Sequence, residues 1–262
     1  MVGETPLAAI RVWKIENQEY AHLPASYAGR LDPMASGKLL VLLGEECKRQ
    51  HEYTNLDKEY NIEVLLDIGS DTGDVLGMSE YAERGTELDE RALAAALASE
   101  RGAHMRAYPA FSSKTIDGKP LFLHALEGSL SYMKVPEHVE CIYNIQHHGS
   151  YTISDSELET KISALLDLVP RTDEPSKRLG EDFRVDAIRA RWQKLFKTTQ
   201  KRDFTVLRLR VTCASGTYMR SLAGRLGVAL GTSALALSIR RTKIGKYLPI
   251  FGSVGFWLKN MK

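Results

Sequence analysis

The stretch YAGRLDPMASG, residues 27–37, places a single acidic side chain between glycines and a proline. Gly29 permits backbone angles that other residues resist, and Pro33 pushes Asp32 away from the α-helical region. The apolar run KLLVLLG at 38–44 predicts a buried strand. A carboxylate beside a buried strand is either well paired or functional. Because a lone Asp-Pro is most often only a turn, the significance of Asp32 depends on the rest of the chain.

The composition is that of a soluble globular protein, with 44% apolar and 26% charged residues among 262. No linker marks a boundary, so we predict one domain spanning residues 1–262. No apolar run approaches the ~20 residues of a membrane helix, and we find no secretory signal. Three widely spaced cysteines without metal-ligand spacing favour a reducing cytoplasm. The net charge of +2 does not by itself indicate a nucleic-acid binder, so such a surface requires local clustering of charge.

Hydrophobic periodicity predicts a mixture of helices and strands along the chain. Alternating apolar residues predict strands at 61–66, 139–145, 204–211 and 235–247, with Tyr60 near the start of the first. Helices are predicted at 7–15, 89–100, 121–126 and 221–230. Asp117-Gly118 predicts the turn of a hairpin.

Residues 149–202 differ in character and are interpreted as a helical insertion. Ser156 is positioned to cap a first helix that Pro170 ends. A second amphipathic helix follows a loop rich in charge, proline and glycine. Its polar face carries a local charge of +6, from Arg184, Arg189, Arg191, Lys194, Lys197, Lys201 and Arg202 against Asp186. This face is either solvated helix surface or an arm that binds phosphates.

Four segments match the motifs of one family in the same order. They are GRLDPMASG at 29–37; KEY at 58–60 with GSDTGD at 69–74; PAFSSK at 109–114 with Gly118-Lys119; and GTYMRSL at 216–222 with IRR at 239–241. Together they resemble the TruB family of pseudouridine synthases, across residues 27–145 and 204–247. Any one motif alone is a weak signal, whereas four collinear motifs are specific.

The resemblance implies an α+β fold, the pseudouridine synthase catalytic fold, with a mixed, mostly antiparallel sheet flanked by helices. It implies isomerisation of uridine to pseudouridine in tRNA, at uridine 55 of the T loop, with an Asp nucleophile, base flipping and no metal or organic cofactor. The partner is then the T arm of tRNA, and we expect a cytoplasmic monomer that contacts no membrane. Because the sequence stops soon after Tyr247, we expect no C-terminal PUA-type domain.

The family motifs assign three catalytic residues: Asp32 as the carboxylate, Arg220 as its partner, and Tyr60, which can stack on the flipped uracil or assist removal of the C5 proton. Ile239 stands where the family has a leucine that packs on the target base. Nearby basic residues are candidate phosphate contacts, namely Lys114, Arg240, Arg241 and Lys243. Without the resemblance, Tyr60 and Ile239 are ordinary core residues and Arg220 is a helix surface residue.

Two departures from the family pattern stand at the start of the chain. Tyr27-Ala28 replaces the family's His-Thr, and we place Tyr27 among the substrate-binding residues because its ring can stack on a base. The family opening Lys-Pro-x-Gly-x-Thr is matched only at its tail, Gly3-Glu4-Thr5, so the N-terminus looks truncated. Two alternatives remain open: a non-catalytic tRNA-binding or tRNA-folding protein on the same scaffold, and a synthase for another RNA.

Overall fold

The structure, a computed structural model, describes residues 2–82, 87–169, 184–198, 202–251 and 254–260. Pro170 and Lys201, which entered the predictions above, lie outside these residues. The α-helices within them are α1 (Pro6–Glu16), α2 (Gln50–Thr54), α3 (Glu90–Ser99), α4 (Leu121–Leu126), α5 (Asp155–Asp167), α6 (Val185–Thr198) and α7 (Met219–Ala229). Among the described residues, none of the helices has the length and apolar character that spanning a membrane requires.

The strands are β1 (Ala25–Ala28), β2 (Ala35–Gly37), β3 (Leu40–Leu43), β4 (Asp57–Leu66), β5 (Ile68–Ser70), β6 (Ser79–Tyr81), β7 (Gly102–Ala107), β8 (Thr115–Ile116), β9 (Lys119–Pro120), β10 (Glu137–Ser154), β11 (Asp203–Cys213), β12 (Ala234–Phe251) and β13 (Val254–Asn260). Seven of them form the main sheet, in the order β13-β12-β4-β11-β10-β7, with β2 added parallel to β12. Every other pairing in this sheet is antiparallel. The predicted mixed, mostly antiparallel α+β fold is confirmed.

The core lies where the inner strands meet the helices. Val64 and Leu65 of β4 and Leu207 of β11 are completely buried, as is Leu222 of α7, which packs on β12. Each such side chain contributes about 1.5–3 kcal/mol when it leaves water. This packing fixes α7 against the sheet, and the N-terminal turn of α7 carries Arg220.

The helical segment of the insertion begins at Asp155, because residues 149–154 continue β10, which pairs with β11 from Ser150 as far as Ser154 opposite Asp203. The predicted cap Ser156 is therefore wrong. Ser154 caps α5 in a capping box, in which its hydroxyl accepts from the Glu157 amide and the Glu157 carboxylate accepts from the Ser154 amide.

The two insertion helices pack on each other and on the main domain. Leu158 and Ile162 of α5 and Ile188 of α6 are buried in one apolar cluster. The indole of buried Trp192 donates a 3.0 Å hydrogen bond to the Val75 carbonyl, in the loop after β5. The insertion is therefore anchored beside the GSDTGD motif.

The run at 38–44 forms a strand as predicted, β3, but in a satellite position. β3 pairs with β1 in a two-stranded sheet outside the main one, and only Leu42 of its four residues is buried. The prediction of a buried strand is wrong in that respect, because a sheet of two strands covers little of either face.

Candidate active site

Asp32 lies in the connection between β1 and β2, outside any helix, as Pro33 predicted. The Asp32 carbonyl accepts from the Ala35 amide at 2.9 Å, which closes a tight turn. β2 then runs beside β12, with Ala35 opposite Ile239. Gly37 is required there, because a Cβ atom would lie 2.2 Å from the Arg241 carbonyl oxygen. The turn thus holds Asp32 at the edge of the main sheet.

Arg220 holds the Asp32 carboxylate in a two-point ion pair. Its Nε donates to Asp32 Oδ2 at 2.8 Å and its Nη2 to Oδ1 at 3.4 Å. Two carbonyls also accept from the guanidinium, Thr72 O at 2.6 Å from Nη1 and Phe111 O at 3.1 Å from Nη2. The Arg220 side chain is only 5% exposed, whereas the Asp32 side chain is 34% exposed. The pair therefore leaves the carboxylate open on the side away from Arg220.

A second carboxylate, which sequence reasoning did not single out, lies close to the same Nε atom of Arg220. Asp74 Oδ2 lies 3.5 Å from Arg220 Nε, and its Oδ1 accepts from the Thr72 hydroxyl and the Leu76 amide. Burial raises the pKa of Asp74 to about 6, although Arg220 acts in the opposite direction. Burial also opposes the charge of Arg220, but the two carboxylates outweigh it and raise the pKa of the guanidinium. Asp74 ends the GSDTGD motif, and that was the available signal.

A cavity of about 200 Å³ opens beside Asp32, and we call it the smaller cavity. Tyr60, Ile239, Lys58 and Arg241 contribute to its lining. Tyr60 and Arg241 are directly opposite each other on β4 and β12, and Ile239 lies two residues along the same face of β12. Burial raises the pKa of the Tyr60 phenol, so the ring is neutral at physiological pH. The structure therefore brings Tyr60, Ile239 and Asp32 to one cavity.

The smaller cavity also contains two buried cationic side chains. Arg241 is 1% exposed, donates to the Lys38 carbonyl at 2.7 Å, and has an Nη2 without a hydrogen-bond partner among the described residues. Lys58, which sequence reasoning missed although it opens the KEY motif, contacts Ser215 Oγ at 3.0 Å. Burial lowers the pKa of Lys58 to about 8. Arg241, predicted as a phosphate contact, is thus an internal cation of this cavity.

The other candidate phosphate contacts are dispersed around this site. Arg240 is exposed and points to the opposite face of β12. Lys243 forms a 3.0 Å ion pair with Glu59. Lys114 lines a larger cavity of about 590 Å³ that also reaches Asp32 and Arg220. Tyr27 lies in β1 opposite Val41 and, within the described part of the chain, lines neither cavity. The structure does not bring Tyr27 to Asp32.

Most of the basic face predicted for the insertion has protein partners. Arg189 pairs with Asp167 at 2.7 Å, and Arg191 donates to the Ser79 carbonyl at 2.6 Å. Arg202 pairs with Asp67 at 3.0 Å, and Arg184 is also paired, as described below. Lys194 and Lys197 are exposed. Among the described residues, any contact of this face with phosphates rests chiefly on these two lysines.

Comparison with known proteins gives concordant results. The family model for "TruB family pseudouridylate synthase (N terminal domain)" matches residues 19–164. The chain is 28% identical over 226 residues to tRNA pseudouridine synthase B of Burkholderia mallei (strain NCTC 10247), and 26% identical over 225 residues to that of Borreliella burgdorferi (strain ZS7). These alignments cover 86% and 84% of this chain but 57% and 60% of the relatives. The chain thus spans less than two thirds of their length.

A solved structure supports the fold. A chain of a Cbf5-Nop10-Gar1 complex superposes with a TM-score of 0.53 at 18% sequence identity, covering 94% of this chain and 46% of that chain. At this identity the similarity concerns the fold alone.

Proposed function

Since the chain belongs to the TruB family of pseudouridylate synthases, we propose that it converts uridine to pseudouridine in tRNA, at uridine 55 of the T loop. The observation that carries this proposal is the Asp32–Arg220 ion pair, whose carboxylate lines the same cavity as Tyr60 and Ile239. A protein that only binds tRNA has no need of a carboxylate held in this way.

In the proposed reaction, the target nucleotide first leaves its stack, at a cost of a few kcal/mol. Its uracil enters the smaller cavity, stacks on Tyr60 and packs on Ile239. Asp32 attacks a sugar or base carbon of the nucleotide as a nucleophile, with its carboxylate held by Arg220. The N1–C1′ bond breaks, the base rotates and the C5–C1′ bond forms. The bond between Asp32 and the nucleotide breaks before product leaves, which regenerates the carboxylate. The proton lost from C5 balances the proton gained at N1, so the isomerisation needs no co-reactant.

The environment of Tyr60 favours one of its two possible contributions. Because burial raises the pKa of the phenol, a phenolate at neutral pH is disfavoured. Stacking on the uracil therefore suits Tyr60 better than removal of the C5 proton.

The buried cations of the smaller cavity supply the polar half of the proposed substrate site. Lys58 and Arg241 line the same cavity as Asp32, and a phosphate of the flipped nucleotide offers an acceptor oxygen for Arg241 Nη2, which has no partner among the described residues. Lys114, at the larger cavity, is placed to contact the neighbouring backbone.

The setting proposed for this activity is the cytoplasm, with the T arm of tRNA as partner and a monomeric protein. Cys47, Cys141 and Cys213 are all free thiols, which supports a reducing compartment.

The decisive test is pseudouridine formation in a T-arm stem-loop, mapped by nucleotide position. Wild-type protein is expected to produce pseudouridine at the T-loop uridine, and Asp32→Asn is expected to lose turnover while it still binds the RNA. Asp117→Asn, at the exposed tip of the β8–β9 hairpin, is the matched control. Binding by wild-type protein without product would favour the tRNA-binding alternative, and product at another position or only in another RNA would refute the assignment to uridine 55.

A further inference from the structure

Arg184, immediately before α6, connects the insertion to two separate segments of the main domain. Its Nη1 lies 2.7 Å from Asp71 Oδ2 and its Nη2 lies 3.2 Å from Asp71 Oδ1, a bidentate ion pair. The same guanidinium lies over the ring of Phe111, 4.7 Å from the ring centroid. One side chain therefore ties together the β5–β6 loop and the segment around Phe111.

These two segments are the ones that hold Arg220. The Thr72 carbonyl, one residue after Asp71, accepts from Arg220 Nη1 at 2.6 Å. The Phe111 carbonyl accepts from Arg220 Nη2 at 3.1 Å. Arg184 thus restrains both carbonyls that orient the guanidinium opposite Asp32, without touching Arg220 in any of these contacts.

The backbone conformation of Arg184 indicates that its side chain is held by its contacts. Its φ is 53°, in the left-handed region that side-chain-bearing residues seldom occupy. Such a conformation costs on the order of 1–3 kcal/mol and persists where the surrounding structure determines it. Here the ion pair with Asp71 and the contact with Phe111 hold Arg184 in this conformation.

We propose that Arg184 is a positioning residue, through which the insertion sets the orientation of Arg220 and hence of the Asp32 carboxylate. This inference rests on the proposed function. The insertion then contributes to the rate of the reaction as well as to any contact with RNA. A shift of about 1 Å in a reacting group can lower a rate by ~10²-fold, and loss of a side chain one step removed from Arg220 is expected to cost about a tenth of that.

The experiment measures single-turnover pseudouridine formation against RNA concentration for wild type, Arg184→Ala and Arg189→Ala. Arg189 is the matched control, because it forms its ion pair with Asp167 inside the insertion. Arg184→Ala is expected to lower the maximal rate about tenfold with the half-saturating RNA concentration within about twofold of wild type. Arg184→Lys, which keeps the charge, is expected to recover part of the rate.

Two further variants distinguish positioning from a general structural role. Asp71→Asn removes the same ion pair from the other side and is expected to lower the maximal rate similarly, even if Arg184→Ala folds poorly. In an Arg220→Lys background, which lacks the planar guanidinium, Arg184→Ala is expected to change the rate less than about twofold.

Each outcome separates the two proposals. If wild-type protein forms no pseudouridine in any RNA, the proposed function fails and the positioning role fails with it. If wild type is active and Arg184→Ala matches Arg189→Ala, only the positioning role is overturned. A higher half-saturating RNA concentration with an unchanged maximal rate would make Arg184 an RNA contact and overturn the inference. Full additivity of the effects of Arg184→Ala and Arg220→Lys on the rate would also overturn it.

Discussion

Replacing Asp74 with asparagine is expected to change how the free energy of unfolding depends on pH. The Asp74 carboxylate is 4% exposed and lies 3.5 Å from Arg220. Asparagine has nearly the same shape, and its Oδ1 can still accept from the Thr72 hydroxyl and the Leu76 amide. The substitution therefore removes the titrating group while it preserves the local hydrogen bonds.

The magnitude follows from the pKa of Asp74, which burial raises from 3.8 to about 6. A difference of about two pH units, at 1.36 kcal/mol for each, corresponds to about 3 kcal/mol. Since the folded-state pKa is the higher one, this contribution to stability is complete below pH 3.8 and is lost as pH rises through 6. Wild type is thus expected to lose stability relative to Asp74→Asn with rising pH, by about 2 kcal/mol between pH 4.5 and 8.

Urea denaturation followed by tryptophan fluorescence measures this difference directly, at several pH values and with the m-values compared. Other titrating groups are common to both proteins and cancel in the difference. Asp117→Asn controls for the chemical change at an exposed position. If the difference in the free energy of unfolding between wild type and Asp74→Asn stays constant from pH 4.5 to 8, the claim that burial raises the pKa of Asp74 is refuted.

Two further predictions concern binding of the T-arm stem-loop. Lys58→Met is expected to weaken binding at pH 7. Because burial lowers the pKa of Lys58 to about 8, wild type is expected to bind more weakly as pH rises through that value, and Lys58→Met is expected to lose this pH dependence. A fluorescence anisotropy titration in which both proteins lose affinity in parallel would contradict this. Charge reversal of Lys194 and Lys197 to glutamate is expected to reduce the slope of log affinity against log salt by roughly 0.7 to 0.9 for each phosphate that α6 no longer neutralises, and an unchanged slope would assign this face of α6 to solvent.

The position of the helix cap shows what sequence reasoning lacked for the secondary structure. Ser154 and Ser156 each have a glutamate three residues later, Glu157 and Glu159, so both fit a capping box. The structure decides between them through the sheet, because β10 stays paired with β11 until Ser154. A local motif cannot report where a distant strand stops pairing.

The site was predictable to the extent that family motifs fixed it. Asp32, Tyr60, Arg220 and Ile239 were found by resemblance, and their roles in the reaction remain predictions. Strand alternation would have placed Arg241 on the same face as Ile239, but not its burial beside a distant segment, whose Lys38 carbonyl accepts from the guanidinium. Similarly, Arg184, Arg191 and Arg202 bind acceptors that are far away in sequence. A sum of the charged residues on this face therefore overstated the positive charge that is free to bind phosphates.

The ion pair between Asp32 and Arg220 joins positions 188 residues apart, and this separation has a consequence for the chain during its synthesis. At ~5–20 residues per second, a ribosome that has added Asp32 needs roughly ten to forty seconds to add Arg220. Ile239 and Arg241 follow later still. Throughout that interval the nascent chain carries the aspartate without the arginine that orients it. Any product of interrupted translation that stops before α7 therefore lacks the Asp32–Arg220 ion pair.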